Sequence, residues 1–282
     1  MLRIAIPNKG SLSEEAVQLL RDAGYRCRRS DRELVALDRE HEVEFVFLRP
    51  RDIAVYVGDG TVGLGITGRD LALDSGARTA ELMALGFGRS SFYYAAPRES
   101  GITPDTLRGL RIATSYTRVV ELDLERRGVE AGVVRLDGAV EISVRLGVAD
   151  VIADVVQSGR TLEQAGLRTI GEPVLESEAV LVARTESAAE DPAVRVLMER
   201  IRGILVAREY TVLEYDLPRD LLEQATALTP GVEAPTVSPL SKEDWVAVKA
   251  MTKRKGVNRT MDDLKELGAK GIILTDIRSC RL

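Results

Sequence analysis

Short runs of β-branched and other apolar residues alternate with amphipathic stretches of helical spacing over the first half of the chain. Strands are predicted at Leu2–Ile6, Val43–Leu48 and Val62–Thr67. A helix is predicted at Leu12–Ala23, and it ends before Gly24 because glycine readily takes the left-handed backbone conformation that closes a helix. This alternation is typical of an α/β protein with a mostly parallel sheet.

The same pattern restarts near the middle of the chain. Leu110–Ala113 repeats the letters of Leu2–Ala5, and both segments lead through a polar loop into a predicted helix. Asp150–Asp154 then leads into a small, hydroxyl-rich turn, much as Val62–Thr67 leads into Gly-Arg-Asp. We interpret these echoes as two α/β lobes of similar design, although any α/β chain shows some repetition of this kind. Two lobes imply a cleft, and ligands of open α/β sheets lie beyond the carboxyl ends of the strands.

A long amphipathic helix is predicted at Glu190–Glu209, and the pattern changes after it. Strands and helices then follow in the order βαββαβ, which is typical of a small ferredoxin-like sandwich. The strands are Tyr210–Asp216, Pro235–Leu240, Trp245–Met251 and Gly271–Ile277, and the helices are Pro218–Leu228 and Val257–Leu267. The predicted domains are a first lobe of residues 1–90 and 184–209, a second lobe of residues 91–183, and a C-terminal domain of residues 210–282.

Composition and charge exclude several classes of protein. The chain has 282 residues, of which 45% are apolar and 29% are charged, as in ordinary globular proteins and unlike disordered or fibrous ones. The formal net charge of −5 argues against nucleic acid as the main partner. The two cysteines, Cys27 and Cys280, lack metal spacing and are interpreted as free thiols in a reducing compartment. With no export signal and no apolar run near the ~20 residues of a membrane helix, a cytoplasmic location is expected.

Lysine is distributed unevenly, which supports a separate C-terminal module. Six of the seven lysines lie in the last 41 residues, and the exception is Lys9, between the first predicted strand and the first predicted helix. A cation and helix N–H groups can meet an anion at such a position. The spacing of a P-loop is absent, and a solvated loop cation remains the alternative.

Two further strand ends carry candidate residues. Arg49 follows an apolar strand and precedes a proline-initiated helix, where a guanidinium suits phosphate. The alternative for Arg49 is an ion pair with Asp70 or another carboxylate. Asp70 follows Gly68 and Arg69 in a similar turn, and it either serves a ligand or caps the next helix.

The most informative segment is 141–162. Asp154 ends an apolar strand, and Ser158, Gly159, Arg160 and Thr161 start a helix four residues later. Small residues, hydroxyls and free N–H groups make a cradle for a phosphate monoester. Because a nearby carboxylate can accept hydrogen bonds from sugar hydroxyls, the pair suits a ribose phosphate. Taken alone, Ser158 is equally well explained as an N-cap.

This segment resembles the signature of the ATP phosphoribosyltransferase family. Every fixed place of that signature is met, by Glu141, Gly147, Ala149, Ile152, Asp154, Val155, Ser158, Gly159, Thr161 and Leu162. Further segments also resemble the family: PNKG at 7–10, FLRPRDI at 47–53, GITGRDL at 65–71, RIATSY at 111–116, LDGAVE at 136–141 and APTVSPL at 234–240. The resemblance covers the whole chain and matches the long form with a C-terminal regulatory domain, closest to the actinobacterial type.

The resemblance implies a fold and an activity. The fold is a two-lobed, periplasmic-binding-protein-like catalytic part, with the first lobe at 1–90 and 184–209, followed by the ferredoxin-like regulatory domain. The enzyme condenses ATP with 5-phosphoribosyl 1-diphosphate (PRPP) to N1-(5-phosphoribosyl)-ATP and diphosphate, the first step of histidine biosynthesis. It uses Mg²⁺, is inhibited by L-histidine, has AMP as a candidate second inhibitor, and assembles as dimers and hexamers.

The resemblance also assigns roles to residues. Asp154 and Glu141 are assigned to the ribose region of PRPP, and its 5-phosphate is assigned to Ser158, Gly159, Arg160 and Thr161. The polyphosphate groups are assigned to Lys9, Arg32 and Arg49. Asp70 and Tyr116 are assigned to the ATP part of the cleft. Mg²⁺ is expected to be held mainly by substrate oxygens and water, without a dedicated protein cage. The inhibitor histidine is assigned to Asp216, Thr236, Ser238 and Gly271.

Two hypotheses from other classes stay open at this point. A solute-binding or effector-binding protein with the same two lobes would carry an export signal or a DNA-binding helical segment, and neither is visible in the sequence. A non-catalytic amino-acid sensor built around the C-terminal domain would leave the signature at 141–162 without a purpose.

Overall fold

The computed structural model describes residues 1–27, 33–156 and 159–281. These residues form two compact units, an N-terminal unit of residues 1–21 and 25–195 and a C-terminal unit of residues 22–24 and 196–282. Within the described parts of the chain, no helix combines the length and the apolar character that crossing a membrane requires.

The first lobe of the N-terminal unit is built from strands and helices in alternation, as predicted. Its elements are β1 (Leu2–Pro7), α1 (Ser11–Asp22), β2 (Val35–Asp38), β3 (Val43–Leu48), α2 (Pro50–Gly58), β4 (Leu64–Gly68), α3 (Arg69–Asp74) and β5 (Ala80–Ala84). Strand β2 was not predicted, and β4 starts two residues later than predicted.

The second lobe repeats this design. Its elements are β6 (Ser90–Pro97), β7 (Arg111–Thr114), α4 (Thr117–Arg127), β8 (Gly132–Arg135), α5 (Ile142–Arg145), β9 (Val151–Val156), α6 (Arg160–Gln164) and β10 (Leu167–Ser177). The chain then returns to the first lobe as β11 (Ala179–Ala183), five residues before the predicted return at 184.

Both sheets are mixed, so the expectation of a mostly parallel sheet is wrong. The strand orders are β2-β3-β1-β4-β11-β5 in the first lobe and β10-β6-β9-β7-β8 in the second. Parallel pairing is confined to β3-β1-β4 and β8-β7-β9. The chain leaves the first lobe after β5 and comes back through β11, and this return makes β11 antiparallel to both β5 and β4.

The two parallel triplets confirm the predicted pair of similar lobes. Strand β1 lies between β3 and β4, and β7 lies between β8 and β9. The three strands of each triplet run in the same direction. The loops after β1, β3 and β4 therefore leave one edge of the first sheet, and those after β7 and β9 leave one edge of the second. Lys9, Arg49 and Asp70 lie on the first edge, while Tyr116 and Asp154 lie on the second.

The C-terminal unit confirms the predicted βαββαβ order. After α7 (Pro192–Glu209) come β12 (Tyr210–Pro218), α8 (Leu222–Leu228), β13 (Thr236–Pro239), β14 (Trp245–Lys253), α9 (Val257–Leu267) and β15 (Lys270–Asp276). The strand order is β13-β14-β12-β15, and every pair is antiparallel. One face of the sheet is apolar and packs against α8 and α9 through Leu213, Tyr215, Leu217, Val246 and Val248.

The boundary of the C-terminal unit falls inside α7, between residues 195 and 196, rather than at 210. The later turns of α7 contact the end of the chain, where the Cys280 N–H donates to the Gly203 carbonyl oxygen at 2.9 Å. A Cβ at Gly203 would lie 3.0 Å from the Cys280 carbonyl oxygen, so glycine permits this approach.

Gly65 in β4 is packed closely against α2. A Cβ there would overlap the Ile53 side chain and lie 2.9 Å from Val57 Cγ2, both on α2. We expect Gly65→Ala to destabilise the fold by about 1–3 kcal/mol through overpacking. Gly132→Ala is the matched control, because its Cβ would have no neighbour closer than 3.8 Å. Urea unfolding measures both variants, and equal stability of the two would contradict this packing account.

Candidate active site

Asp154 lies on β9 at the wall of a cleft of about 270 Å³. Its carboxylate is half-buried, and Oδ1 accepts a 2.7 Å hydrogen bond from the Val155 N–H. Glu141, at the start of α5, shares the cleft with it, as do Gly159 and Thr161. The remaining wall is apolar and consists of Ile152, Val155, Val156 and Leu162. Four of the predicted site residues are thus brought together.

Burial is the main reason why the ionised form of Asp154 is disfavoured. It raises the pKa of the carboxyl above the ordinary value, and the neighbouring carboxylates of Glu141 and Asp70 raise it further. The Val155 N–H and the Arg51 guanidinium lower the pKa but do not compensate. With two carboxylates against one guanidinium, the neighbouring charges add an excess of negative charge, which favours a cation next to Asp154.

The turn after β9 begins α6. Gly159 has φ +71° and is the N-cap of α6, a left-handed conformation that glycine takes without strain. Arg160 and Thr161 are exposed on the first turn, and Thr161 faces the cleft while Arg160 is outside its lining. Ser158, predicted beside them, lies outside the described residues.

Asp70 and Tyr116 contact each other across the two lobes. The Asp70 carboxylate lies close enough to the Tyr116 phenol to act on its pKa. Asp70 is only 6% exposed, and its Oδ1 accepts a 2.8 Å hydrogen bond from Ser177 Oγ. Burial raises the pKa of Tyr116, and the Asp70 charge adds to the effect, so the phenol stays protonated and acts as a donor. The Tyr116 ring also packs edge-on against Phe92, with centroids 5.4 Å apart.

Arg51 was not predicted as a site residue, yet it reaches the same place. Its Nη1 lies 3.0 Å from Asp74 Oδ2 and 3.0 Å from the Ser115 carbonyl oxygen. Its Cζ is 4.6 Å from the centroid of the Tyr116 ring. The segment FLRPRDI contains this residue, but its contacts connect positions far apart in sequence, so no local pattern distinguishes Arg51 from an ordinary helix-surface arginine.

Lys9 and Arg49 are exposed at the edge of the first sheet. They follow the paired ends of β1 and β3, where Pro7 stands opposite Leu48. Among the described residues neither side chain has a hydrogen bond or an ion pair, so the alternative of an Arg49–Asp70 ion pair does not hold. Arg32, the third predicted polyphosphate residue, lies outside the described residues.

The residues predicted to bind histidine share the helix-free face of the C-terminal sheet. Asp216, Ala247 and Ser238 form one cross-strand row, and Thr236 stands opposite Lys249 in the next row. Gly271 follows the residue paired with Asp216 and has φ +59°. A Cβ at Gly271 would lie 3.6 Å from Asp216 Oδ2, so these two positions are adjacent.

A half-buried carboxylate beside a glycine-started helix turn, in a protein of two α/β lobes, suits an enzyme of phosphorylated sugars. Comparison with known proteins narrows this class. A family model described as ATP phosphoribosyltransferase matches residues 49–203, and one described as HisG, C-terminal domain, matches residues 207–279. The chain belongs to the ATP phosphoribosyltransferase family, and the resemblance seen in the sequence is confirmed.

Individual relatives agree with the family models. An ATP phosphoribosyltransferase from Salinibacter ruber is 59% identical over 283 residues, which span 100% of both chains. One from Rhodococcus opacus is 57% identical over 100% of this chain and 99% of its own. A solved ATP phosphoribosyl transferase (HisG:HisZ) complex from Thermotoga maritima has a TM-score of 0.61 and 25% identity, covering 72% of this chain and 96% of the other. The chain is a pentosyltransferase of the first step of histidine biosynthesis.

The raised pKa of Asp154 has a consequence for stability. We expect Asp154→Asn to be more stable than the wild-type chain at neutral pH, because the folded state disfavours the ionised carboxylate that the wild type carries there. As pH falls through the raised pKa, the wild-type carboxyl becomes protonated in the folded state and the difference shrinks. It disappears below the ordinary aspartate pKa of about 4.

Urea unfolding from about pH 4 to about pH 8 measures this difference. Asp137→Asn is the matched control, because the Asp137 side chain is 82% exposed. An Asp154→Asn chain that is less stable than the wild type at neutral pH would contradict the proposed excess of negative charge.

Proposed function

We propose that PRPP binds in the cleft at Asp154 and that ATP binds beside it at Asp70 and Tyr116, so that the phosphoribosyl group is transferred between the two lobes. The observation that carries this proposal is the half-buried Asp154 carboxylate, which shares its cleft with Glu141 and has a raised pKa. A carboxylate whose ionised form is disfavoured is stabilised by a nearby positive charge, and the reaction generates such a charge on the ribose.

The chemistry explains why such a carboxylate is useful. The bond from the anomeric carbon of PRPP to diphosphate breaks, and adenine N1 donates its lone pair to form the new bond to that carbon. Since N1 is already a neutral nucleophile, no strong general base is needed. The barrier lies in the positive charge that develops on the ribose, and a preorganised negative field stabilises it most in the transition state. Asp154 and Glu141 provide this field and accept hydrogen bonds from ribose hydroxyls.

The phosphate groups require cationic and N–H donors. The 5-phosphate is proposed to bind at Ser158, Gly159, Arg160 and Thr161. Helix α6 starts after the left-handed Gly159, and the first N–H groups of a helix have no partner inside the helix. Lys9, Arg49 and Arg32 are proposed to neutralise the diphosphate. The exposed positions of Lys9 and Arg49 at one sheet edge support this, since both cations are available to a ligand.

The ATP part of the cleft is proposed to include Asp70 and Tyr116. Both side chains are held in place, Asp70 by its hydrogen bond from Ser177 and the Tyr116 ring by Phe92 and Arg51. A buried acceptor next to a fixed aromatic ring suits a purine, which offers N–H donors at its edge and a flat apolar face.

Mg²⁺ is proposed to enter with the substrates. Within the described ranges no group of three or more His, Cys, Asp or Glu side chains could hold a metal ion. Magnesium commonly keeps several waters and binds through one or two protein carboxylates and through substrate phosphates. Asp154 and Glu141 are proposed as those one or two carboxylates. The ion would neutralise charge on the departing diphosphate.

The C-terminal unit is proposed to bind L-histidine as a feedback inhibitor. The Asp216 carboxylate suits the ligand's amino group or imidazolium, while Thr236, Ser238 and the N–H of Gly271 suit its carboxylate. Their shared position on the helix-free face supports a single site. The predicted inhibition by AMP and assembly as dimers and hexamers are proposals that rest on the family resemblance, and the cytoplasmic location is a proposal that rests on the sequence pattern.

The catalytic proposal predicts the kinetics of Asp154 variants. We expect Asp154→Ala to lower kcat by at least about 100-fold, since it removes a preorganised charge at the reacting centre. Formation of the adduct from ATP, PRPP and Mg²⁺ is followed by absorbance, with Asp137→Ala as the exposed control. Wild-type kcat in Asp154→Ala would refute the assignment.

The regulatory proposal predicts altered histidine sensitivity. We expect Asp216→Asn and Ser238→Ala each to raise the histidine concentration for half-inhibition by about tenfold, the effect of losing about 1.4 kcal/mol of binding. Turnover without histidine is the internal reference in each variant. Glu223→Gln on α8 is the control, because it is exposed on the opposite, helix-covered side of the sheet. Unchanged inhibition in both test variants would rule out this site.

A further inference from the structure

The Arg51 guanidinium lies where α2, α3 and α4 meet, between the two lobes. One nitrogen, Nη1, donates to Asp74 of the first lobe at 3.0 Å and to the Ser115 carbonyl oxygen of the second at 3.0 Å. Asp74 uses its other oxygen to accept the Arg118 N–H at 3.1 Å. The same carboxylate therefore holds both Arg51 and the first turn of α4.

Arg51 also supports the ring of Tyr116. Its guanidinium carbon lies 4.6 Å from the ring centroid, a distance at which the cation is attracted to the aromatic face. Phe92 contacts the ring as well, in an edge-on arrangement with an interplanar angle of 70°. The ring is thus fixed by two neighbours, and its hydroxyl reaches Asp70.

An ordinary surface ion pair does not explain this arrangement. Exposed ion pairs contribute about 0–1 kcal/mol, and their geometry is loosely held. Arg51 makes three different contacts, to a carboxylate, to a backbone carbonyl and to an aromatic face, and two of the three partners belong to the other lobe. A planar guanidinium suits all three together, because its flat face can stack on the ring while its N–H groups donate, whereas an ammonium group has no flat face.

We propose that Arg51 is a positioning residue for phosphoribosyl transfer, which fixes the Tyr116 ring and the spacing of the two lobes so that Asp70 and Asp154 face the bound substrates at a set distance. This inference rests on the proposed function of the cleft. Arg51 acts through Tyr116 and Asp74, and it is not required to touch either substrate.

Geometry and charge are separable contributions of Arg51. Arg51→Lys keeps the positive charge and loses the planar group that contacts Asp74, the Ser115 carbonyl oxygen and the Tyr116 ring. Arg51→Gln loses both.

Steady-state kinetics of Arg51→Gln and Arg51→Lys test the proposal, with kcat and KM for each substrate. Because small misplacements of substrate-positioning groups cost up to about 100-fold, we expect both variants to lower kcat by about 10- to 100-fold. The KM values should change less than kcat, because Arg51 acts through Tyr116 and Asp74 and not through contact with a substrate.

A double-mutant cycle tests the route through Tyr116. We expect Arg51→Gln combined with Tyr116→Phe to lose little more activity than the worse single variant, because both changes disturb one arrangement. A double variant whose fold-loss in activity equals the product of the two single losses would overturn the proposed action through Tyr116. Arg3→Gln is the control, since Arg3 pairs with Glu44 and the Thr61 carbonyl oxygen outside the cleft.

The outcomes separate this inference from the proposed function. An inactive wild-type chain would overturn the proposed function itself. An active wild type with unchanged kcat in both Arg51 variants would overturn only the positioning role, as would a loss of thermal stability without a kinetic effect. Lowered kcat in a folded Arg51→Lys, with the control unaffected, supports it.

Discussion

The proposed function depends on the half-buried Asp154 carboxylate, whose ionised form is disfavoured by burial and by two neighbouring carboxylates. The fold holds Asp154 in place because β9 is fixed on both sides, by β6 and by β7. In the proposed reaction the ribose becomes cationic, and its charge would offset the cost of the ionised Asp154 where the barrier is highest. Arg51 lowers the pKa of Asp154 only in part, which leaves the carboxylate open to interaction with the substrate.

The duplicated architecture brings the candidate residues to matching positions in the two lobes. Strand β1 lies between its parallel neighbours β3 and β4, and β7 lies between its parallel neighbours β8 and β9. The first lobe contributes the exposed cations Lys9 and Arg49 together with the buried Asp70, while the second contributes Tyr116 and Asp154. The Asp70 charge acts on both Tyr116 and Asp154, so the two sets of residues are connected electrostatically.

Much of this could be predicted from the sequence, and the exceptions share a cause. Periodicity located the parallel strands β1 and β3, and the signature located Asp154, because both are local patterns. The antiparallel return of β11 and the Arg51 contacts were missed, since each depends on residues far apart in the chain. The boundary inside α7 was missed for the same reason, because it is set by the contact of Gly203 with Cys280 at the far end of the sequence.

Binding of two ribose 5-phosphate analogues tests most directly whether the cleft is built for a cation. One analogue carries a protonated ring nitrogen in place of the ring oxygen, and the other is its neutral carbocyclic counterpart. Calorimetry on the wild-type chain and Asp154→Asn gives the four dissociation constants. We expect the wild type to bind the cationic analogue more tightly than the neutral one, and the preference to be lost in Asp154→Asn. Equal affinity of the wild type for both analogues would contradict the central role of Asp154.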